Sequence, residues 1–331
     1  MRLIINKNTD YHVSLDAVAE FENAILSDTQ IRAIYIKNKI ISKICTYCWL
    51  GLKSLSRGTN HFIKPKLFIG IKNKGARDYF AVLMGLDVNK VLPYFLFSGR
   101  KNIYLFDAWP NTHERLKDIV KYWNINHVFL SSSQAVEQLC SASHKCNYSW
   151  IPEGINPDLY MSYSYNDKNI DVVQVGRKYE THHRLIVEPL EKERKVYLYE
   201  KVKGEIIFPG RGKFIEGIAR AKISICVPSS ITHPVRAGGI ETMTIRYLQS
   251  MVSKCLLLGH APQEMIRLFG YNPVIEIDSQ DPVKQIFFLL EHIKDYIPLI
   301  EKNYKTVVEH HTWRHRWESI SNVLRQDLRA N

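Results

Sequence analysis

Two glycines, Gly238 and Gly239, stand directly before a helical pattern that runs from Thr242 to Val252. Glycines at a helix start let the backbone approach a phosphate closely, and the unpaired N–H groups and dipole of the first turn favour an anion. Taken alone, such glycines equally suit a plain turn. A second chemical feature is a run of charge. From Arg32 to Arg77 there are eleven Lys or Arg and no Asp or Glu, which nearly accounts for the formal net charge of +12. A one-sided basic field attracts a polyanion, either nucleic acid or an anionic leaflet. Tyr35, Tyr47, Trp49, Phe62 and Phe68 are interleaved with these cations. Aromatics suit a nucleic-acid surface or headgroup depth on a membrane, and a merely solvated basic face is the third reading. Cys45 and Cys48 have the spacing of half a zinc site but no second pair, so no zinc is expected. No Asp-x-Asp cluster stands out as a metal site, and no pair of carboxylates suggests a double displacement.

The elements that position these residues alternate in type. Strands are expected at Leu3–Ile5, Ile31–Ile36, Leu67–Ile71, Asn102–Asp107 and His127–Leu130, and helices at Ser14–Leu26, Thr112–Trp123 (with Thr112 as cap) and Ser133–Cys140. A Pro- and Gly-punctuated passage, Trp150–Pro157, and a polar stretch, Ser162–Asn169, follow. A second alternation has strands at Asp171–Val175, Lys195–Tyr199, Lys222–Val227, Cys255–Leu258 and Val274–Ile277. Its helices are expected at Gly212–Ala221, Thr242–Val252 and from Pro282 to the end. Such alternation predicts parallel sheets with right-handed crossovers, and ligand sites at the carboxyl ends of strands. Length supports two domains. Among the six cysteines, Cys226 and Cys255 lie in apolar runs and read as core. No secretory signal is read at Met1, and no apolar run approaches the ~20 residues that span a bilayer.

From residue 150 to 320 the chain resembles the retaining GT-B glycosyltransferases of family four, including those of surface-polysaccharide synthesis. In that family two Glu residues, with seven residues between them, bracket the start of the donor-binding helix. Glu241 matches the first, while the second position is Gln249, in Tyr-Leu-Gln-Ser-Met where the family usually has Leu-Glu-Ala-Met. Pro228-Ser229 and Cys255-Leu-Leu-Leu-Gly match the flanks, and Gly176-Arg177 matches a glycine–arginine turn. Arg184 matches a basic residue beyond it. The tail from Glu309 to Arg316, with His310, His311 and His315, resembles the family's closing His-Thr-Trp segment, and Trp150–Asn156 its interdomain passage.

The resemblance implies an α/β fold of GT-B type, two Rossmann-like doubly wound domains facing a central cleft. Residues 1–160 would form the acceptor-side domain and residues 161–315 the nucleotide-sugar domain. Residues 316–331 would form a C-terminal helix that can cross back to the first domain. It implies that Glu241 bonds hydroxyls of the transferred sugar and that position 249 holds the ribose, where Gln249 lacks a carboxylate's charge. Eight helical residues span about 12 Å, the scale of a nucleotide sugar laid across a helix end. Arg177 and Arg184, with Lys178 as rival, would stabilise charge growing on the leaving diphosphate. Gly176, Gly210, Arg211, Gly238, Gly239, Thr242, Met243 and Thr244 complete the expected donor site. On the acceptor side, Asp107 and His113 would contact hydroxyls and Trp109 would stack on a sugar; capping and turn-making are the alternatives there. Transfer would proceed with retention and without a metal or other cofactor, from a nucleoside-diphosphate sugar to a glycan or lipid-linked acceptor. Residues 32–77 would hold the enzyme on an anionic membrane at its cytoplasmic inner face, with no nucleic acid as partner. A GT-B sugar-nucleotide epimerase or hydrolase, and a non-catalytic sugar-nucleotide-binding protein, are the competing readings.

Overall fold

The structure, a computed structural model, describes residues 1–5, 15–35, 43–44, 47–48, 78–86, 91–95, 99–140, 146–176, 178–202 and 204–330. The chain divides into two compact units, Met1–Pro152 and Glu153–Asn331.

The first unit carries strands β1 (Arg2–Ile5), β2 (Arg32–Tyr35), β3 (Asp78–Met84), β4 (Arg100–Phe106), β5 (His127–Leu130) and β6 (Asn147–Trp150). They form one sheet in the order β2-β1-β3-β4-β5-β6, every pair parallel. Strands covered on both faces read as continuous apolar runs, and Tyr79 to Leu83 and Ile103 to Phe106 are buried throughout. The expected strand at Leu67–Ile71 lies outside the described residues; β3 and β6 were not anticipated. The helix His113–Trp123 forms as expected, but Thr112 does not cap it. Its hydroxyl donates instead to the Trp109 carbonyl at 2.7 Å, closing the turn that precedes the helix.

The second unit carries β7 (Ile170–Gln174), β8 (Tyr197–Tyr199), β9 (Ala221–Cys226), β10 (Leu256–Gly259) and β11 (Ile275–Glu276), again all parallel, in the order β11-β10-β9-β7-β8. Alternation along the strands sends Val172, Ile223, Ile225, Leu256 and Leu258 to one face, where Ile186, Ile286 and Leu289 meet them. Val173 and Cys255 turn to the other face, against Phe214 and Ile218. Cys226 and Cys255 are core residues, as their apolar surroundings predicted. β7 has β8 on one side and β9 on the other, so the winding reverses between β7 and β9. In open parallel sheets the carboxyl ends flanking such a reversal are where ligands bind.

Two ties help hold this unit together. Lys168 is buried, and its ammonium donates to the carbonyls of Ala219, Ala221 and Ser253 at 2.7, 2.9 and 2.9 Å. The strap Glu153–Ile155 is laid on the start of the last helix, Trp313–Ala330. Ile155 donates to the His311 carbonyl and accepts from the Trp313 N–H, and Arg316 Nε donates to the Glu153 carbonyl. A Cβ at Gly154 would stand 2.8 Å from the Trp313 nitrogen, so only glycine lets the strap lie this close. No helix among the described residues is long and apolar enough to cross a membrane.

Candidate functional site

β9 delivers the chain at Cys226 to Pro228 and two helical turns, Ser229–Thr232 and Pro234–Ala237. Gly238 and Gly239 follow at φ +53° and +84°, a left-handed pair that reverses the chain, and space is open where a Cβ at Gly239 would be. Ile240 is buried and pins the turn through its N–H to the Ala237 carbonyl. Glu241 then emerges part-exposed. Thr242 turns inward: its hydroxyl donates to Glu264 Oε1 at 2.7 Å, and the Met243 N–H reaches the same oxygen at 2.9 Å. The Ile245 N–H donates to Glu153 Oε2. Glu264 and Glu153 are both buried. Two protein carboxylates therefore already occupy amides at the head of the helix, as capping acceptors do. This is also why the helix begins at Ile245, three residues after the expected Thr242. Thr244 occupies its N-cap position.

Glu241 is approached from the next strand. His260 follows β10, with its Nε2 3.6 Å from Glu241 Oε2 and its Nδ1 3.0 Å from Glu276 Oε2 at the end of β11. The backbone of His260 is pinned twice: its N–H donates to the Cys226 carbonyl at 3.1 Å, and its carbonyl accepts from the buried Tyr247 hydroxyl at 2.7 Å.

Gln249 is buried, at 3% exposure, which excludes its being a solvated helix residue. Its carbonyl accepts from Arg246 Nη1 at 2.8 Å, and its amide donates to the Tyr160 hydroxyl at 2.9 Å. The Arg246 guanidinium lies 4.9 Å from the ring centre of Phe214.

At the carboxyl end of β7, Gly176 turns the chain at φ +87°. Arg177 lies outside the described residues. Lys178 Nζ is 3.6 Å from Glu180 and 5.6 Å from the Tyr199 ring centre. Arg184 is largely exposed and 3.9 Å from the same Glu180, one turn along the helix Glu180–Lys192. The structure thus gathers Lys178 and Arg184 on one carboxylate. Behind them the Tyr197 hydroxyl donates to Gln174 Oε1 and meets His183 Nδ1, both at 3.1 Å. Burial, with Lys178 nearby, holds the His183 imidazole below its ordinary pKa. Gly210 precedes the helix Arg211–Ala219 at φ +85°, with Arg211 its first residue.

In the first unit, Asp107 follows β4 at φ +56° and its carbonyl accepts from the Trp109 N–H. Trp109 is buried in that unit's core. His113 is also buried and its Nε2 contacts the Ala108 carbonyl at 3.1 Å. These contacts build a tight turn. Of residues 32–77, only Arg32–Tyr35, Lys43, Ile44, Tyr47 and Cys48 are described, so Cys45 and most of the basic stretch lie outside. Of the three tail histidines, His311 is buried and its Nδ1 accepts from Arg316 Nη2 at 2.9 Å. Burial first, and then the Arg316 charge, pull its pKa down to about 3. Among the described residues no group of three or more His, Cys, Asp or Glu is arranged to hold a metal ion.

His260, Glu264, Glu276, Glu153, Tyr160 and Arg246 were missed from the sequence. His260 had a usable signal: it immediately follows a buried strand, the position where a doubly wound sheet places ligand residues. The buried carboxylates Glu264 and Glu153 had none, because their partners are distant in sequence.

No family model matches the chain, and no curated protein matches it in sequence. Solved structures do resemble it. Anabaena HepE in complex with UDP and glucose is 10% identical with a TM-score of 0.61, over 98% of this chain and 100% of that one. Sucrose-phosphate synthase from Thermosynechococcus elongatus is also 10% identical with a TM-score of 0.61, over 100% of both chains. TarM of S. aureus, solved with UDP among its ligands, is 12% identical with a TM-score of 0.51, over 73% of this chain and 55% of that one. At such identities the likeness speaks for architecture alone, and with the two parallel α/β units it establishes that this chain has the GT-B fold.

Proposed function

We propose that the protein is a glycosyltransferase that takes a sugar from a nucleoside-diphosphate sugar. The observation that carries this reading is the placement of Glu241. A part-exposed carboxylate stands on a left-handed glycine turn at the carboxyl end of β9, next to the glycine turn that ends β7. In an open parallel sheet this is the edge that receives a nucleotide. The structures solved with UDP, UDP-glucose or glucose on the same fold support a sugar diphosphate as ligand. In this reading Glu241 bonds the sugar's hydroxyls, while Lys178, Arg184 and Arg177 neutralise the diphosphate as it leaves. Transfer retains the anomeric configuration, needs no metal or other cofactor, and delivers the sugar to a glycan or lipid-linked acceptor in surface-polysaccharide synthesis. The turn built by Asp107, Trp109 and His113 serves the acceptor side, and residues 32–77 hold the enzyme peripherally on the inner face of the plasma membrane.

A thermal-shift panel of nucleotide sugars tests the donor, since a ligand that binds only the folded state raises apparent stability by mass action. One selective ligand is expected, and a flat panel refutes the proposal. With that donor, Glu241→Ala is expected to lower transfer by about a hundredfold or more while nucleoside-diphosphate binding persists. Sedimentation with phosphatidylserine vesicles is expected to carry the protein down, and charge reversal within 32–77 to abolish it. Salt-sensitive oligonucleotide binding instead would identify the stretch as a nucleic-acid surface. One observation favours a second reading, a sugar-nucleotide-binding protein without transfer: both ends of the Gln249 amide are engaged inside the protein. Donor binding without transfer to any acceptor would select it.

A further inference from the structure

We propose that His260, backed by Glu276, is a positioning residue that sets how the site grips the sugar half of its donor. The proposal rests on the donor reading above. Three elements converge here. Glu241 belongs to the turn after β9, His260 follows β10 directly, and Glu276 ends β11. The register pairs Gly259 with Glu276, so His260 leaves its strand beside the carboxylate it needs.

Glu276 is itself fixed by the Ala261 N–H at 3.3 Å and by the Asn272 amide at 3.4 Å, both on Oε1, leaving Oε2 for His260 Nδ1 at 3.0 Å. With its main chain tied to Cys226 and Tyr247, the imidazole has little freedom to swing. Its second nitrogen faces Glu241 Oε2 at 3.6 Å. Both ring nitrogens thus face carboxylate oxygens. A fixed imidazole beside Glu241 orients its carboxylate, and binding groups held in advance cost less to order.

A positioning role predicts a division between ligands that a general loss of structure would not produce. Titration with UDP-glucose and UDP as probes reads it. His260→Ala is expected to weaken UDP-glucose binding about tenfold, the scale of one hydrogen bond to a charged group. UDP affinity stays within about twofold, because UDP lacks the glucosyl group, and this also certifies the fold. His260→Gln, whose amide can still donate toward Glu241, is expected to recover most of the loss. In a Glu241→Ala background, His260→Ala should add nothing further, since the two act as one unit. Glu241→Ala weakening UDP-glucose while His260→Ala matches the wild type overturns the role of His260 and leaves the donor reading standing. Additive losses, or equal losses for UDP and UDP-glucose, also overturn it. If the wild type binds no nucleotide sugar, the donor reading fails first and this proposal with it.

Discussion

Gln249 accepts from Arg246 and donates to Tyr160 at once, which an ionised carboxylate cannot do. Replacing it with Leu strips a partner from two groups and is expected to cost about 2 kcal/mol in urea unfolding. Gln249→Glu keeps the Arg246 contact, now charge-assisted, while the Tyr160 hydroxyl turns to donate. Its stability is expected to stay within about 1 kcal/mol of wild type, and the same titrations would read any change in donor affinity. At this scale the sequence was legible by residue type. Glu241 could be singled out because it stands at the first Glu position of the glycosyltransferase family that residues 150–320 resemble. That Gln249 is buried could not be seen, because its partners lie 89 residues away and one helical turn away.

Elements built from continuous apolar runs were the easiest to read. His127–Leu130 and Ser133–Cys140 were found residue for residue, because buried parallel strands and short amphipathic helices advertise themselves. The helix Glu180–Lys192 was not anticipated. It contains Pro189 and buries His182 and His183 beside Ile186 and Leu190, so its apolar stripe is diluted. The loop carrying Glu241 depends on Glu264, which serves the Thr242 hydroxyl and the Met243 amide with one oxygen. Glu264→Ala leaves both donors without that partner, and a loss of about 2–3 kcal/mol is expected by denaturant unfolding. Lys168→Met should cost a similar amount, about 3 kcal/mol, because three carbonyls lose their shared donor.

For the molecule as a whole, alternating strands and helices made a pair of parallel sheets legible, because that pattern admits few other architectures. Stability over pH follows from buried imidazoles. Burial, and secondarily His183, pull the His182 pKa from 6.5 down to about 4, and neither of its ring nitrogens has a hydrogen-bond partner. Below 6.5 the unfolded chain takes up a proton that the folded chain refuses until about 4, so this group lowers stability as pH falls through that window. His182→Phe is expected to flatten the fall in urea midpoint between pH 7 and 4.5, and an unchanged slope would exonerate His182. The strap Glu153–Ile155 has its own consequence for dissecting the protein. Its carboxylate caps the helix at Ile245, and its backbone is stitched to His311, Trp313 and Arg316. A fragment beginning at residue 161 would lack the acceptor for Ile245 and the parallel bridge between Ile155 and Thr312, whereas one beginning at 153 would retain both. Severing the chain eight residues too late should turn a cooperative unfolding transition into a shallow one.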